Sequence, residues 1–239
     1  MPVVNLYWSK NALAGIGPSG QNNFTNAREA AESTSNQTFL NATGTSAVSN
    51  FQRSSGRGSA SFGFKRSYWG FDFTGYTTGT ITNLAFHFKP STNSTSTLSQ
   101  RLVQNSTFGT EVGNNYGEDD WWDSISDPFV NYSNAFNSND SNTASSVTLL
   151  SQATTDAKAD GFLKLTLMNI TDYNNLNLAV DTNQTTVWTI GNNSTGNVFV
   201  RFDYEPPGYG NNVIGVPSDP DNKINDVGYA NVFQVIGVS

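Results

Sequence analysis

The chain carries a single histidine, His87, and no cysteine. Histidine is the commonest general acid/base, so any serine–histidine–aspartate relay here would have to run through His87. No Gly-x-Ser-x-Gly elbow supports one. His87 sits in an alternating segment opposite Leu84, Phe86 and Phe88 and beside Lys89, which implies a solvent-facing strand position. The lack of cysteine removes thiol nucleophiles, disulfides and thiolate metal sites. The densest carboxylate set is Glu118, Asp119, Asp120 and Asp123, interleaved with Tyr116, Trp121 and Trp122. Paired carboxylates can hydrolyse a glycoside, and Tyr116, Trp121 and Trp122 are candidates to stack on sugar rings. The plainer account, a solvated acidic loop pinned to a sheet edge by its tryptophans, is the expected one. Residues 219–226 hold oxygen ligands suited to calcium but lack the glycine and terminal glutamate of an EF-hand loop, so they read as a turn. No phosphate-cradling Gly-rich loop, zinc spacing or dinucleotide fingerprint occurs, and residues 191–196 read as a tight hairpin loop. The expectation is a protein that is not an enzyme and uses no cofactor or metal.

The elements around these residues read as strands. Trp69, Phe71 and Phe73 recur at period two, as do Leu84, Phe86 and Phe88, with a turn over 74–79 between the two runs and Pro90 closing the second. Gly70 would let a ring or another backbone come close. Further strands are expected over 98–104, 147–150, 162–170, 176–180, 185–190 and 198–204, separated by Asn/Gly/Thr turns. In the 162–170 strand, Leu163, Leu165 and Leu167 share one face, and Phe162, Lys164, Thr166 and Met168 share the other. Helix is expected only as one turn near 27–32 and a short segment over 152–160. Residues 1–10 read as a short strand or arm, 11–60 as polar loops and short edge strands, and 113–146 as loop-rich. Strands at this spacing without long helices specify a sandwich or barrel.

Composition agrees. A chain of 239 residues suits one large β domain. Charged residues are only 13%, so solubility comes from Asn, Ser, Thr and Gly, which cost less to desolvate on close packing than charges do. A net charge of −7 provides no electrostatic footprint for nucleic acid or an anionic membrane. No apolar run reaches transmembrane length. The first residues lack the pattern of a signal peptide, so the many Asn-x-Ser/Thr sequons are not expected to be glycosylated.

Two segments carry a family resemblance. Residues 66–74, Arg-Ser-Tyr-Trp-Gly-Phe-Asp-Phe-Thr, followed by residues 80–88, Thr-Ile-Thr-Asn-Leu-Ala-Phe-His-Phe, resemble the strand pair of jelly-roll modules in phage virion proteins. Those modules are similar to carbohydrate-binding modules of the same sandwich class. The sequence departs from their pattern at Phe73, where threonine is usual. Residues 223–238 resemble the Ile-x-Lys-Val-Asn-Gly-Val…Ala-x-Ile-x-Lys-Val-Asn-Gly-Val ending of virion proteins from phages of aquatic bacteria, and Val-Ile-Gly-Val occurs twice in residues 213–239, at 213–216 and 235–238.

The expected fold is therefore all-β: an antiparallel jelly-roll-like β-sandwich over residues 60–205, with an N-terminal arm and loop region over 1–59 and a linker and Val/Ile-rich assembly tail over 206–239. Trp69, Phe71, Phe73, Leu84, Phe86 and Phe88 should line the core, with Leu163, Leu165, Leu167 and either Phe199 or Phe202 opposite. The resemblance implies a bacteriophage virion structural protein, a capsid decoration (cement) protein first of all. The alternative it leaves open is a tail- or fibre-associated host-adhesion or carbohydrate-binding module using Tyr116, Trp121 and Trp122. The assembly contacts would come from Val213, Ile214, Val216, Ile224, Val227, Val232, Phe233, Val235, Ile236 and Val238. The implied partners are the major capsid protein or tail proteins, further copies of the chain as a homotrimer, and host glycans, but neither nucleic acid nor membrane. The implied location is the virion, after synthesis in the host cytoplasm.

Overall fold

The computed structural model describes residues 1–16, 23–30, 37–39, 47–55, 60–90, 99–106, 128–137, 144–176, 184–190, 196–207, 223–224 and 227–228. They form an all-β sandwich of two antiparallel sheets. The smaller sheet has the order β1 (Val3–Tyr7), β11 (Val198–Glu205), β6 (Thr80–Phe88), β8 (Ser145–Thr148). The larger has seven strands: β2 (Lys10–Ile16), β3 (Gln37–Phe39), β4 (Ala47–Ser55), β5 (Ala60–Asp72), β7 (Gln100–Gln104), β9 (Phe162–Asn169) and β10 (Gln184–Ile190). β12 (Lys223–Ile224) and β13 (Val227–Gly228) pair separately. β1, β2, β3 and β4 all precede residue 60, in the region read as an arm with loops and short edge strands. β2 and β4 take the two edges of β5, β3 extends β2, and β1 pairs with β11 of the smaller sheet.

β5 is the hub of the larger sheet. One edge takes β2 along Phe64–Gly70. The opposite edge is shared, with β4 along Ala60–Lys65 and β9 along Ser67–Asp72. The apolar face changes over along the strand. Near its C-terminal end Trp69 and Phe71 point between the sheets, where Trp69 meets Phe86 at 5.3 Å between ring centroids and Phe71 meets Phe86 at 6.4 Å. Near its start Phe62 and Phe64 point the other way, onto α1 (Phe24–Ala30), whose Phe24 packs edge-on against both rings at 5.9 and 5.2 Å. Asn23 caps α1 by accepting from the backbone N–H groups of Thr25 and Asn26. The larger sheet is thus covered by the small sheet over one half and by the helix over the other.

The inter-sheet core holds Trp69, Phe71, Phe73, Ile81, Leu84, Phe86, Phe88, Leu102, Leu163, Leu165, Leu167, Val198, Val200 and Phe202. Phe202 is the β11 ring that joins it, stacked on Phe73 at 5.1 Å, while Phe199 faces outward. Ile81 and Leu84 are both buried although three residues apart, because β6 carries a bulge. Arg201 pairs with Ala85 but Asp203 with Thr82, so Asn83 and Leu84 together oppose Phe202. Asn83 takes φ 55° and donates from its side-chain amide to Asp203 at 2.6 Å.

α2 (Ser151–Asp160) closes one end of the core with Ala153 and Ala157 and stops at Gly161, whose φ of 67° is the left-handed conformation of a helix C-terminus. Residues 131–136 run alongside β7 and bond to the backbone of Gln100 and Leu102, covering that edge. The ring of Phe162 lies over Gly70, where a Cβ would overlap it.

Candidate functional site

Most residues expected to act lie outside the described ones: Tyr116, Trp121, Trp122 and their carboxylates, and Val213, Ile214, Val216, Val232, Phe233, Val235, Ile236 and Val238. Ile224 and Val227 are described at the backbone and sit directly opposite each other in the β12–β13 pair. That pair belongs to neither sheet of the sandwich.

His87 occupies the outward face of β6, half-buried, and its ring lies flat on Phe199 at 4.7 Å with an interplanar angle of 7°. Its pKa is depressed below 6.5, first by burial and then by the positive charge of Arg201. A neutral imidazole stacked on a phenyl ring, with Ser146 across the strand pair, is a packing element. Among the described residues, no group of three or more His, Cys, Asp or Glu is placed to hold a metal ion.

His87 belongs to a row that crosses the small sheet. Tyr7, Phe199, His87 and Ser146 follow one another in register over β1, β11, β6 and β8. The next row is Asn5, Arg201, Ala85 and Thr148. This outward face is aromatic at one end and polar at the other. Three of the five large apolar residues exposed among the described ones lie beside its β1 edge: Met1 at 64%, Val3 at 51% and Tyr7 at 47%. Among the described residues, this face presents aromatic and apolar groups beside a polar row.

The charged groups that the strand pattern leaves unassigned are used inside the fold. Arg66, on the face of β5 opposite Trp69, is 2% exposed and holds Asp172, which is 1% exposed, through Nε to Oδ2 at 2.6 Å and Nη2 to Oδ1 at 2.8 Å. Arg28 of α1 donates to Oδ1 from the other side at 2.9 Å. Burial alone would raise the Asp172 carboxyl, but Arg66 and then Arg28 overcome that and hold it below the usual range. Asp172 lies in α3 (Ile170–Tyr173), a helical turn begun by Asn169, whose side chain accepts from the Thr171 N–H. Lys164, also on the face opposite Leu163 and Leu165, donates to the Ser106 carbonyl at 3.1 Å. Asp156 accepts from Tyr132 at 2.8 Å and Gln104 at 3.0 Å, and burial followed by that bond pushes the Tyr132 hydroxyl pKa well up. Alternation sets Arg66 and Lys164 on the faces opposite Trp69 and Leu163 without saying what covers them. The only sequence signal of their burial is an arginine and a lysine inside strands whose neighbours on the same face, Phe64, Tyr68, Phe162 and Met168, are large and apolar.

No protein-family model matches the chain, and no curated protein matches it. No helix among the described residues is long and apolar enough to cross a membrane.

Proposed function

We propose that the chain is a bacteriophage virion structural protein, a capsid decoration protein whose sandwich is displayed on the particle and whose tail, residues 206–239, makes the assembly contacts. The observation that carries this reading is the pairing of the described tail strands, Lys223–Ile224 and Val227–Gly228, which is with each other. β11 completes the small sheet at Glu205, and the described strands of the tail pair only with each other. Two strands of two residues each are far too short to be stable alone. A neighbouring subunit would supply the surface they need. Arg66, Asp172, Lys164 and Asp156 are used in internal contacts, which is in keeping with a structural role. Many weak copies on a regular shell reach high occupancy by avidity.

The test is deletion of residues 213–239. The truncated protein should fold, with an unchanged sandwich core, and should fail to join particles in a lysate of the producing culture, while the full chain appears there as regular copies by immunogold labelling or cryo-EM. Normal incorporation of the truncated protein would remove the tail from the assembly role. Absence of the full chain from particles would remove the virion reading.

A further inference from the structure

We propose that β1 is a two-fold docking edge through which two copies of this chain join their small sheets into one. β1 is the terminal strand of its sheet, bonded to β11 on one side only among the described strands. Native edge strands are normally blunted by charge, proline within the strand, a bulge or a covering loop. Among the described residues none of these protects Val3–Tyr7. Residues 1–9 contain no Lys, Arg, Asp or Glu, Pro2 precedes the strand, and its register to β11 is unbroken. Met1, Val3 and Tyr7 are exposed beside it. The other edge of the same sheet, β8, is only four residues of Ser, Val and Thr.

The backbone direction fixes which groups are free. Tyr204 N–H donates to the Pro2 carbonyl at 3.0 Å, and the register pairs Val4 with Phe202 and Leu6 with Val200. Antiparallel bonding alternates along a strand. The N–H and C=O groups of Pro2, Val4 and Leu6 are therefore turned to β11, except that proline has no N–H, and those of Val3, Asn5 and Tyr7 are turned to the open edge.

A second copy of β1 fits that edge by a two-fold axis through Asn5. Asn5 then faces Asn5 of the second copy, and Val3 faces its Tyr7. Each pair exchanges both backbone bonds, so every outward-pointing donor and acceptor of the strand is used. The side chains agree in the same register. Val3, Asn5 and Tyr7 are the exposed face on both copies, while Val4 and Leu6, which pack on the core, meet each other on the buried side. A shift by one residue would set the core face of one copy against the solvent face of the other. The strand thus meets its own copy with matching face and bonding direction, and residue i contacts j as j contacts i, as in an isologous interface. In the joined sheet the aromatic row Tyr7–Phe199–His87 of one copy runs on into Val3 of the other.

Five paired residues bury less than the roughly 1,200 Å² of a stable interface, so free association is weak and is strengthened wherever copies are concentrated. The inference does not rest on the virion reading. It is tested on the purified full chain, and either can fail alone.

Because the chain has no cysteine, single-cysteine variants report the register directly. Asn5 is exposed, so Asn5→Cys leaves the fold intact, which circular dichroism checks. Across the axis its Cα separation would be about 5.5 Å, within disulfide range. Under mild oxidation Asn5→Cys should form a covalent dimer on the order of tenfold faster than Ser146→Cys, an exposed control on the opposite edge. Val3→Cys alone and Tyr7→Cys alone should dimerise slowly, and a mixture of the two should give the heterodimer. Asn5→Lys, which places like charges across the axis, should abolish the concentration-dependent dimer in sedimentation velocity. Equal rates for Asn5→Cys and Ser146→Cys, or faster self-linking of Val3→Cys than of Asn5→Cys, would overturn the two-fold register.

Discussion

Arg66 and Asp172 lie 106 residues apart in the chain and meet as a two-pronged ion pair at 2.6 and 2.8 Å on the outer face of the larger sheet. Arg66 stands where β5 exchanges one apolar face for the other, between Phe64 on the α1 side and Trp69 on the inter-sheet side. Asp172 is presented by the turn after β9, and Arg28 ties α1 to the same carboxylate. One carboxylate therefore fastens the helix and the β9 turn to the strand that both sheets depend on.

Removing one partner leaves the other charge buried. Arg66→Met should destabilise the protein by about 3–5 kcal/mol in urea unfolding. Arg66→Lys should recover only part of this, because a point charge cannot reproduce the fork. The double variant Arg66→Met/Asp172→Leu should be closer to wild type than either single change, since it removes both buried charges, while Arg28 is partly exposed and can turn to water. Additive losses would show that the residues do not interact in the folded state.

The same carboxylate sets an acid limit. Its folded pKa lies below the unfolded value of 3.8, so it contributes stability that is fully present above that value. As pH falls below 3.8 the unfolded chain takes up the proton first, and the contribution is lost as pH passes through the folded pKa. Thermal melts from pH 7 downward should show a falling midpoint in this range. Asp172→Asn should be less stable at pH 7 and should lose less on acidification. An equal acid slope in both proteins would assign acid sensitivity elsewhere.

The strands were legible because their alternation is strong. Trp69, Phe71, Leu84, Phe86, Leu163, Leu165 and Leu167 appear in the core that their period implied. Three things were not legible, each for a physical reason. Pairing partners are non-local, so nothing in residues 1–16 announces that β1 and β2 join different sheets. The face change along β5 requires α1, whose Phe24 and Ala27 carry too weak a period in seven residues to mark a buried helix. The bulge at Asn83 breaks the alternation by one residue, so Ile81 is buried without sharing the period of Leu84, Phe86 and Phe88. The proposed assembly tail stands out by its repeat, whereas the edge position of β1 depends on which strand ends the sheet, and no local pattern encodes that.

Asn83 and Gly70 test two local geometries. Alanine at 83 would keep the left-handed conformation without the amide bond to Asp203 and should cost about 1–2 kcal/mol, while Asn83→Gly should cost less. Alanine at 70 would drive a methyl group into the Phe162 ring and should cost about 1–3 kcal/mol. Adding Phe162→Leu to Gly70→Ala should return part of that loss, because the clash is with the far edge of the ring. Chemical denaturation of the single and double variants decides both, and a Gly70→Ala protein as stable as wild type would mean that the Phe162 ring moves aside freely.

His87 supplies the last prediction. As the single histidine, it gives one imidazole titration in NMR spectra without assignment by mutagenesis. Burial against Phe199, then the charge of Arg201, keep it neutral to lower pH than a free imidazole. Its folded pKa is therefore below 6.5, and the stability linked to the neutral form is complete above 6.5. On acidification the unfolded chain is protonated first, so this contribution declines below 6.5 and is lost as pH passes through the folded pKa. Arg201→Ala should raise the imidazole pKa only part of the way back, because burial is the larger cause. His87→Phe should keep a ring on Phe199 and remove the pH-dependent step in thermal stability. An imidazole titrating at 6.5 or above in the folded protein would show that the ring is solvated rather than stacked on Phe199.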